Sequence, residues 1–186
     1  MKVALSKFTA ANFTKLRYMR PEVQRLFTEF FCRIAMAGIY FRIPDDGGKR
    51  TTEEQLDQYR KGRPWVAGYD PKRHNVPPVT DVKCPYSWHC HGLAVDIAPL
   101  TRLSTLLYSV WYGETPFNTI ARIAKELGIT WGYAIWGQDK PHFHYSGGLT
   151  LEQVIAGTSL PVPQFTPAEK PKVLQRALVR LEVPLP

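Results

Sequence analysis

Four of the chain's five histidines lie in two short segments, and each segment also contains an aspartate. These side chains are His89, His91 and Asp96 in residues 87–96, and Asp139, His142 and His144 in residues 139–144. Imidazole and carboxylate are the ligand types that proteins use for catalytic zinc. The sequence therefore predicts a fold that brings two separate segments together around one metal ion.

The spacing within the first segment requires a turn. Zinc ligand atoms lie about 2.0–2.2 Å from the metal, whereas a straight strand would separate His89 from Asp96 by roughly 23 Å. Gly92 is the obvious place for the reversal, since glycine accepts backbone angles that other residues resist. Residues 93–98 then predict a strand whose odd-numbered apolar side chains face a core, while Ala94 and Asp96 face a cleft.

The second segment follows the same alternation. His142 and His144 share one face of a predicted strand, and Phe143 between them faces the opposite, buried side. Either histidine can reach the cleft, and the metal needs only one of them. A proline at the end of residues 137–141 cannot donate to a sheet ladder, so this run is predicted to be a loop that places Asp139 at the rim.

Apolar periodicity and turn residues predict the other elements. Helices are expected over residues 21–38, 52–62, 103–111 and 115–128, and strands over residues 39–43, 93–98, 131–136 and 141–145. Thr52 and Gln55 are predicted to form the capping box of the second helix. Strands that follow one another without a helix between them imply antiparallel pairing. The predicted fold class is α+β, with a small antiparallel sheet, helices on one face and the zinc cleft on the other.

Several short patterns together resemble one family. Residues 87–96 fit S-x-H-x-x-G-x-A-x-D without a mismatch, and residues 139–142 fit (D/E)-x-x-H. These patterns resemble the zinc D,D-carboxypeptidases and the phage L-alanyl-D-glutamate endopeptidases. Further similar elements are Arg50–Gln55 for R-(T/S)-x-x-E-Q, Tyr59–Arg63 for Y-x-x-G-R, Val79–Thr80 and Gly147–Thr150. The resemblance covers roughly residues 10–160.

The resemblance implies one zinc ion per chain, with His89, Asp96 and His142 as its ligands. His91 and His144 stand beside these residues as competing imidazoles.

The same resemblance implies roles in catalysis for three further residues. Asp139 would be the general base and acid, and Ser87 would contact the substrate. Arg50 would contact the substrate too and would offset charge that develops on its oxygen. The alternatives are a solvated surface charge for Arg50 and a simple loop end for Ser87.

The three cysteines allow more than one interpretation. Cys84 and Cys90 flank His89, and thiolates bind zinc well, so a second metal site is one hypothesis. Their spacing is not C-x-x-C, and an odd number of cysteines argues against a disulfide framework. A disulfide between Cys84 and Cys90 in an oxidising compartment stays open as well. Cys32 is predicted to be a small core residue.

With 186 residues and 44% hydrophobic content, the chain is long enough for one well-buried core. Residues 1–160 are predicted to form the zinc peptidase domain, in which residues 63–86 are a long loop. Residues 161–186 are predicted to be a Pro-rich extension with a short basic amphipathic helix. Docking of that helix on the domain is expected, and a membrane-active helix is the alternative.

The net charge of +8 implies an acidic partner. No helix-turn-helix, zinc-finger or RNA-binding signature accompanies the charge, so the anionic bacterial envelope is favoured over nucleic acid. The first residues contain no apolar run of signal-peptide length, and no stretch approaches a membrane span. We therefore expect synthesis in the cytoplasm, and the resemblance implies that the protein acts on the cell wall after release from the host. A monomer is expected.

The resemblance, together with these observations, implies a zinc endopeptidase that cuts peptidoglycan stem peptides between L-Ala and D-Glu, as a phage endolysin. A D,D-carboxypeptidase or D,D-endopeptidase acting on D-Ala-D-Ala is the alternative enzyme, since the motifs do not fix which bond is cut. A zinc-stabilised cell-wall-binding module, as in hedgehog-type relatives, is the alternative without catalysis. Asp139 and Arg50 argue against that module, because a structural metal site needs neither a base nor an oxyanion partner.

Overall fold

The computed structural model describes residues 7–102, 108–110, 114–170, 172 and 175. The described helices are Lys7–Lys15 (α1), Pro21–Met36 (α2), Thr52–Arg60 (α3), Pro71–His74 (α4), Glu114–Glu126 (α5), Gly132–Trp136 (α6) and Leu151–Ile155 (α7). The described strands are Tyr40–Arg42 (β1), Ala94–Asp96 (β2), Ala98–Arg102 (β3), Tyr108–Val110 (β4), Thr130–Trp131 (β5) and His142–His144 (β6). None of the described helices combines the length and the apolar character that crossing a membrane requires.

Helix α2 is the centre of the core. Pro21 lies in its first turn, where a missing N–H costs nothing, and the chain leaves the helix through Gly38 at a φ of 78°. The buried apolar face consists of Val23, Leu26, Phe27, Phe30, Phe31 and Ile34. Burial of each such side chain stabilises the fold by about 1.5–3 kcal/mol. The ring of Phe30 lies 5.4 Å from that of Phe143, so α2 supports strand β6 directly.

The strands form two three-stranded antiparallel sheets, β1-β3-β4 and β2-β6-β5. In the second sheet Val95 pairs with Phe143, and Asp96 pairs with His142. Because side chains alternate along a strand, Val95 and Phe143 enter the core while Asp96 and His142 lie together on the other face. This register brings the two predicted metal-binding segments into contact.

The predicted α+β class is confirmed, but the prediction of a single sheet and of one strand over residues 93–98 is wrong. The chain changes sheets at Ile97, whose N–H donates to Pro141 O at 2.8 Å. Before Ile97 the chain pairs with β6, and after it the chain pairs with β1. The predicted core positions Leu93, Val95 and Ile97 are all buried.

Two predictions of secondary structure are wrong. Residues 103–111 were expected to be helical, yet Tyr108–Val110 is a strand paired with β3. Leu103, Leu106, Leu107 and Trp111, which motivated that helix, lie outside the described residues. Residues 131–136 were expected to be a strand, but the strand ends at Trp131 and α6 follows.

Three smaller differences concern helix ends and loops. Helix α1 was not predicted. The capping box of α3 is formed by Thr51 and Glu54, one residue earlier than predicted, which leaves Gln55 free to point into the protein. The predicted long loop over residues 63–86 contains the short helix α4.

The described part of the C-terminal extension contacts α2. The carboxylate of Glu29, whose side chain is fully buried, accepts hydrogen bonds from Lys170 Nζ at 2.6 Å and from Ala168 N at 2.7 Å. Arg33 donates to Thr166 O at 2.7 Å. The basic helix predicted beyond this point lies mostly outside the described residues, and the division into domain and extension stays a prediction.

Candidate metal centre

Three ligand-type atoms meet at the floor of a cleft. His89 Nε2 lies 3.1 Å from His142 Nδ1, and Asp96 Oδ1 lies 3.3 Å from the first and 3.5 Å from the second. Tetrahedral ligands at about 2.1 Å from zinc are separated by about 3.4 Å, so the arrangement fits a zinc ion without rearrangement. Within the described part of the chain, these residues form the one His, Cys, Asp or Glu group able to hold a metal.

Each of the three side chains is positioned by a local feature of the sequence. Asp96 and His142 are cross-strand partners in β2 and β6. His89 precedes the predicted turn at Gly92, which has a φ of 65° and donates its N–H to His89 O at 3.1 Å. A Cβ at this glycine would lie 3.1 Å from Arg20 N, so both backbone angle and space favour glycine.

Residues 47–50, which we call the glycine turn, form a second layer behind the metal-binding side chains. His89 Nδ1 donates to Gly48 O at 2.8 Å, and this bond directs the lone pair of Nε2 into the site. Asp96 N donates to Gly47 O at 2.7 Å. A Cβ on Gly47 would lie 3.2 Å from Asp96 Cβ, so the close approach of the two backbones requires glycine. The glycine turn therefore sets both the tautomer of His89 and the placement of Asp96.

Arg50 is the last residue of the glycine turn, and its guanidinium donates a hydrogen bond to Asp96 Oδ2, the carboxylate oxygen that does not face the histidines. Arg50 Nη2 donates to Asp96 Oδ2 at 2.7 Å, Nη1 donates to Gln55 Oε1 at 3.1 Å, and Nε donates to Asp46 O. Arg50 is only 9% exposed, so the alternative of a solvated surface charge is wrong. Its predicted contact with substrate stays a prediction.

The ionisation of these groups suits metal binding. Burial would raise the pKa of Asp96, but its interactions with His89, His142 and Arg50 hold that pKa well below the ordinary value. Burial lowers the pKa of His89, so its imidazole is neutral and has a lone pair to offer. The site thus combines an ionised carboxylate with a neutral imidazole.

The surroundings of the competing histidines, His144 and His91, differ from those of His89 and His142. The ring of His144 stacks on Trp88 at 4.6 Å and on Trp136 at 5.9 Å, and burial lowers its pKa to about 3. His91 Nε2 donates to Pro85 O at 2.7 Å. Neither imidazole belongs to the group that could hold a metal.

The predicted catalytic and substrate-binding residues line the same cleft, which has a volume of about 740 Å³. Ser87 is 7% exposed within it. Asp139 lies in the loop between α6 and β6 with a φ of 66°, a conformation uncommon outside glycine. The side chain of Asp139 reaches solvent at the rim, yet partial burial there raises its pKa, and the charge of Asp96 acts in the same direction.

Two segments contribute most of the remaining lining. One is residues 78–82, which we call the cleft loop, together with Tyr86; the other comprises Trp136 at the end of α6, Gln138 and Asp139. Tyr86 and Trp136 are 57% and 45% exposed. The cleft is therefore accessible to a large ligand, with the metal-binding group at its floor.

The structure pairs Cys84 with Cys90 in a disulfide. The hypothesis of a second metal site at these cysteines is therefore wrong, and the disulfide that the sequence left open is present. The bond closes the loop that contains Ser87 and His89. Cys32 is fully buried, as predicted, and burial raises the pKa of its thiol to about 12.

Sequence reasoning missed two buried residues. His74 lies in the segment predicted to be a long loop, yet it is 1% exposed; its Nε2 lies 3.0 Å from Asp57 Oδ1, and its Nδ1 accepts from Asp70 N at 2.8 Å. Gln55 was read as part of a capping box, whereas it bonds Arg50. The R-T-x-x-E-Q element was the available signal for Gln55, and the sequence contained none for His74.

Comparison with known proteins agrees with the site. A family model described as D-alanyl-D-alanine carboxypeptidase matches residues 80–145, which include His89, Asp96, Asp139 and His142. Over this segment, which carries the predicted metal ligands, the match agrees with the predicted resemblance to the zinc D,D-peptidases.

The chain is also similar to a solved structure, that of the L-Ala D-Glu endopeptidase ChiX from Serratia marcescens. The two chains share 21% sequence identity over 82% of this chain and 96% of the other, with a TM-score of 0.49. No curated protein sequence matches the chain.

Proposed function

We propose that the protein is a zinc-dependent endopeptidase that hydrolyses the bond between L-Ala and D-Glu in peptidoglycan stem peptides. The observation that carries the proposal is the His89, Asp96 and His142 group at the floor of a cleft with Asp139 at its rim. A zinc ion bound there would supply a Lewis acid that polarises a carbonyl and lowers the pKa of water to about 7. Three protein ligands leave the fourth position open, which is typical of catalytic sites.

The protein's own groups perform the proton transfers. Asp139 takes a proton from the attacking water and returns one to the departing nitrogen of D-Glu. Its raised pKa makes it a better proton carrier near neutral pH than an ordinary aspartate. Arg50 holds Asp96 ionised and oriented, and Ser87 lies where it can donate to a substrate oxygen.

The size of the cleft favours an endopeptidase over a carboxypeptidase. In both candidate substrates, the residue that follows the cut is a D-amino acid with a free α-carboxylate. In the L-Ala to D-Glu substrate, however, the peptide continues beyond D-Glu through its γ-carboxyl group. A carboxypeptidase needs room for a single terminal residue on that side. The cleft of about 740 Å³ extends to Leu151 and the cleft loop, and pockets of roughly 300–1,000 Å³ take drug-sized ligands. It therefore has room for peptide on both sides of the cut.

We also propose that the enzyme acts as a phage endolysin on the cell wall after release from the host cytoplasm. The resemblance of Gly147–Thr150 to the endolysin branch supports this role. The net charge of +8 would draw the protein to the anionic envelope.

Digestion of purified peptidoglycan with the zinc-loaded protein, followed by mass spectrometry of the products, tests the proposal. We expect peptides that begin with a free D-Glu amine and muramic acid that retains L-Ala with a free carboxyl group. Release of free D-Ala with the L-Ala to D-Glu bond intact would assign the protein to the D,D-peptidases instead. An absence of new termini, with the protein bound to the wall, would favour the binding module.

A further inference from the structure

Gln55 lies in the first turn of α3 and is fully buried. A glutamine loses considerable side-chain freedom and solvation when it is buried, so its hydrogen bonds must compensate. Its neighbours in the chain, Thr51 and Glu54, cap the helix, and Gln55 takes no part in that capping box.

The carboxamide of Gln55 bonds two parts of the cleft at once. Its Oε1 accepts from Arg50 Nη1 at 3.1 Å, and its Nε2 donates to Val82 O at 2.9 Å and lies 3.4 Å from Thr80 Oγ1. A guanidinium only donates and a carbonyl only accepts, so these partners fix the orientation of the amide.

We propose that Gln55 is a positioning residue that holds Arg50 against Asp96 and ties the cleft loop to the same guanidinium. Arg50 reaches the oxygen of Asp96 that faces away from the histidines, and Gln55 fixes the other branch of the guanidinium. The chain of contacts runs from the cleft loop through Gln55 and Arg50 to a metal-binding carboxylate. The effects of these contacts on catalysis and on zinc affinity rest on the proposed function, whereas their effect on the cleft loop does not.

Replacement of Gln55 by Met tests the contact with Arg50, because Met has a similar length but no amide. Direct partners of metal ligands are typically worth 10- to 100-fold in metal affinity; because Gln55 acts through Arg50, we expect the variant to bind zinc about 3- to 10-fold more weakly in competition with a chelator. Gln58→Met is the matched control. Gln58 lies on the same helix at 8% exposure and bonds Lys61 Nζ, and its replacement should change zinc affinity less than twofold.

A double-mutant cycle with Arg50→Lys separates positioning from general destabilisation. If Gln55 acts through Arg50, the losses of zinc affinity in Gln55→Met and Arg50→Lys will not add, because the two residues share one interaction. Additive losses, or zinc binding by Gln55→Met as tight as that of Gln58→Met, would overturn the proposal.

The contact with the cleft loop has its own test, which needs neither zinc nor substrate. Gln55→Glu keeps an acceptor for Arg50 but places an oxygen against Val82 O. We expect trypsin to cut the metal-free variant after Lys83, at the end of the cleft loop, at least fivefold faster than the wild type. This variant also decides the question if Gln55→Met does not fold: cleavage after Lys83 at the wild-type rate would overturn the proposal that Gln55 ties down the cleft loop.

Discussion

Arg50 donates a 2.7 Å hydrogen bond to Asp96 Oδ2, while Oδ1 of the same carboxylate faces His89 and His142. The two oxygens of Asp96 therefore have separate partners. One is available to a metal, and the other is held by a buried positive charge. This division keeps the carboxylate ionised and fixes its direction, which is the usual function of a second layer around a metal site.

Loss of the Arg50 charge should weaken metal binding most strongly in acid. The charge contributes to the low pKa of Asp96, so Arg50→Met should raise that pKa and cause zinc to be released at a higher pH. At neutral pH we expect an affinity loss of about 10- to 100-fold. Zinc retention measured against pH checks this expectation.

Arg60→Met is the control for this change. Arg60 has a side chain 14% exposed and pairs with Glu53 at 2.6 Å, away from Asp96. If the Arg50 and Arg60 variants release zinc over the same pH range, Arg50 does not influence the metal ligand Asp96.

Asp139→Asn should keep zinc and the fold but lose roughly 10²- to 10⁴-fold in turnover, the usual contribution of a general acid or base. The base must be deprotonated, so activity should rise with pH through the pKa of Asp139, which lies above the ordinary value. This acidic limb should be missing from the residual activity of the variant.

Asp81→Asn serves as the comparison, since Asp81 lines the same cleft with a side chain 86% exposed and pairs with Arg63. Turnover of Asp139→Asn close to that of Asp81→Asn would remove the proton-transfer role.

Much of the site could be predicted because it depends on patterns among residues that are close together in the sequence. Strand alternation alone placed Asp96 and Phe143 on the cleft and core faces, and Gly92 marked the turn. The choice of His142 over His144 came from the resemblance, because both share one face of β6. Their difference arises from the strand register, which pairs His142 with Asp96 and His144 with Ala94, and from Trp88, whose ring stacks on His144 at 4.6 Å.

The errors share a physical cause. Tyr108–Val110 and residues 132–136 carry patterns compatible with either helix or strand, and periodicity alone does not reveal that the first pairs with the preceding strand β3 while the second forms α6. The hydrogen bonds of Gln55 and His74 depend on how a long loop folds back, which periodicity does not encode.

The disulfide should stabilise the loop that contains His89. Cross-linking closes a short loop, for which the loss of unfolded-state entropy corresponds to about 2 kcal/mol. Replacement of both Cys84 and Cys90 by Ser should lower the free energy of unfolding in denaturant by that amount. A phosphine reductant should destabilise the wild type to a similar extent and leave the double variant unchanged. If the reductant affects both proteins equally, the disulfide does not cause the difference.

Glu29 should make stability depend on pH. Burial would raise its pKa, but hydrogen bonds from Lys170, Arg33 and Ala168 outweigh this effect and lower the pKa. A lowered pKa means that the ionised form stabilises the fold above the unfolded pKa of about 4.3, and that this contribution is lost as the pH falls through the folded pKa.

Glu29→Gln should therefore lower stability at neutral pH and flatten the acid transition measured by denaturant unfolding. Glu126→Gln is the matched change, since Glu126 also pairs with Arg33 but has a side chain 45% exposed, and its effect should be small. Equal effects of the two substitutions would contradict a special role for the buried carboxylate.

The zinc content of histidine variants tests the central claim most directly. Wild-type protein should contain one zinc per chain and cleave peptidoglycan, and His142→Ala should lose both metal and activity because its first ligand shell is incomplete. His144→Ala should retain one zinc per chain. Full zinc in His142→Ala together with depleted zinc in His144→Ala would contradict the proposed metal centre.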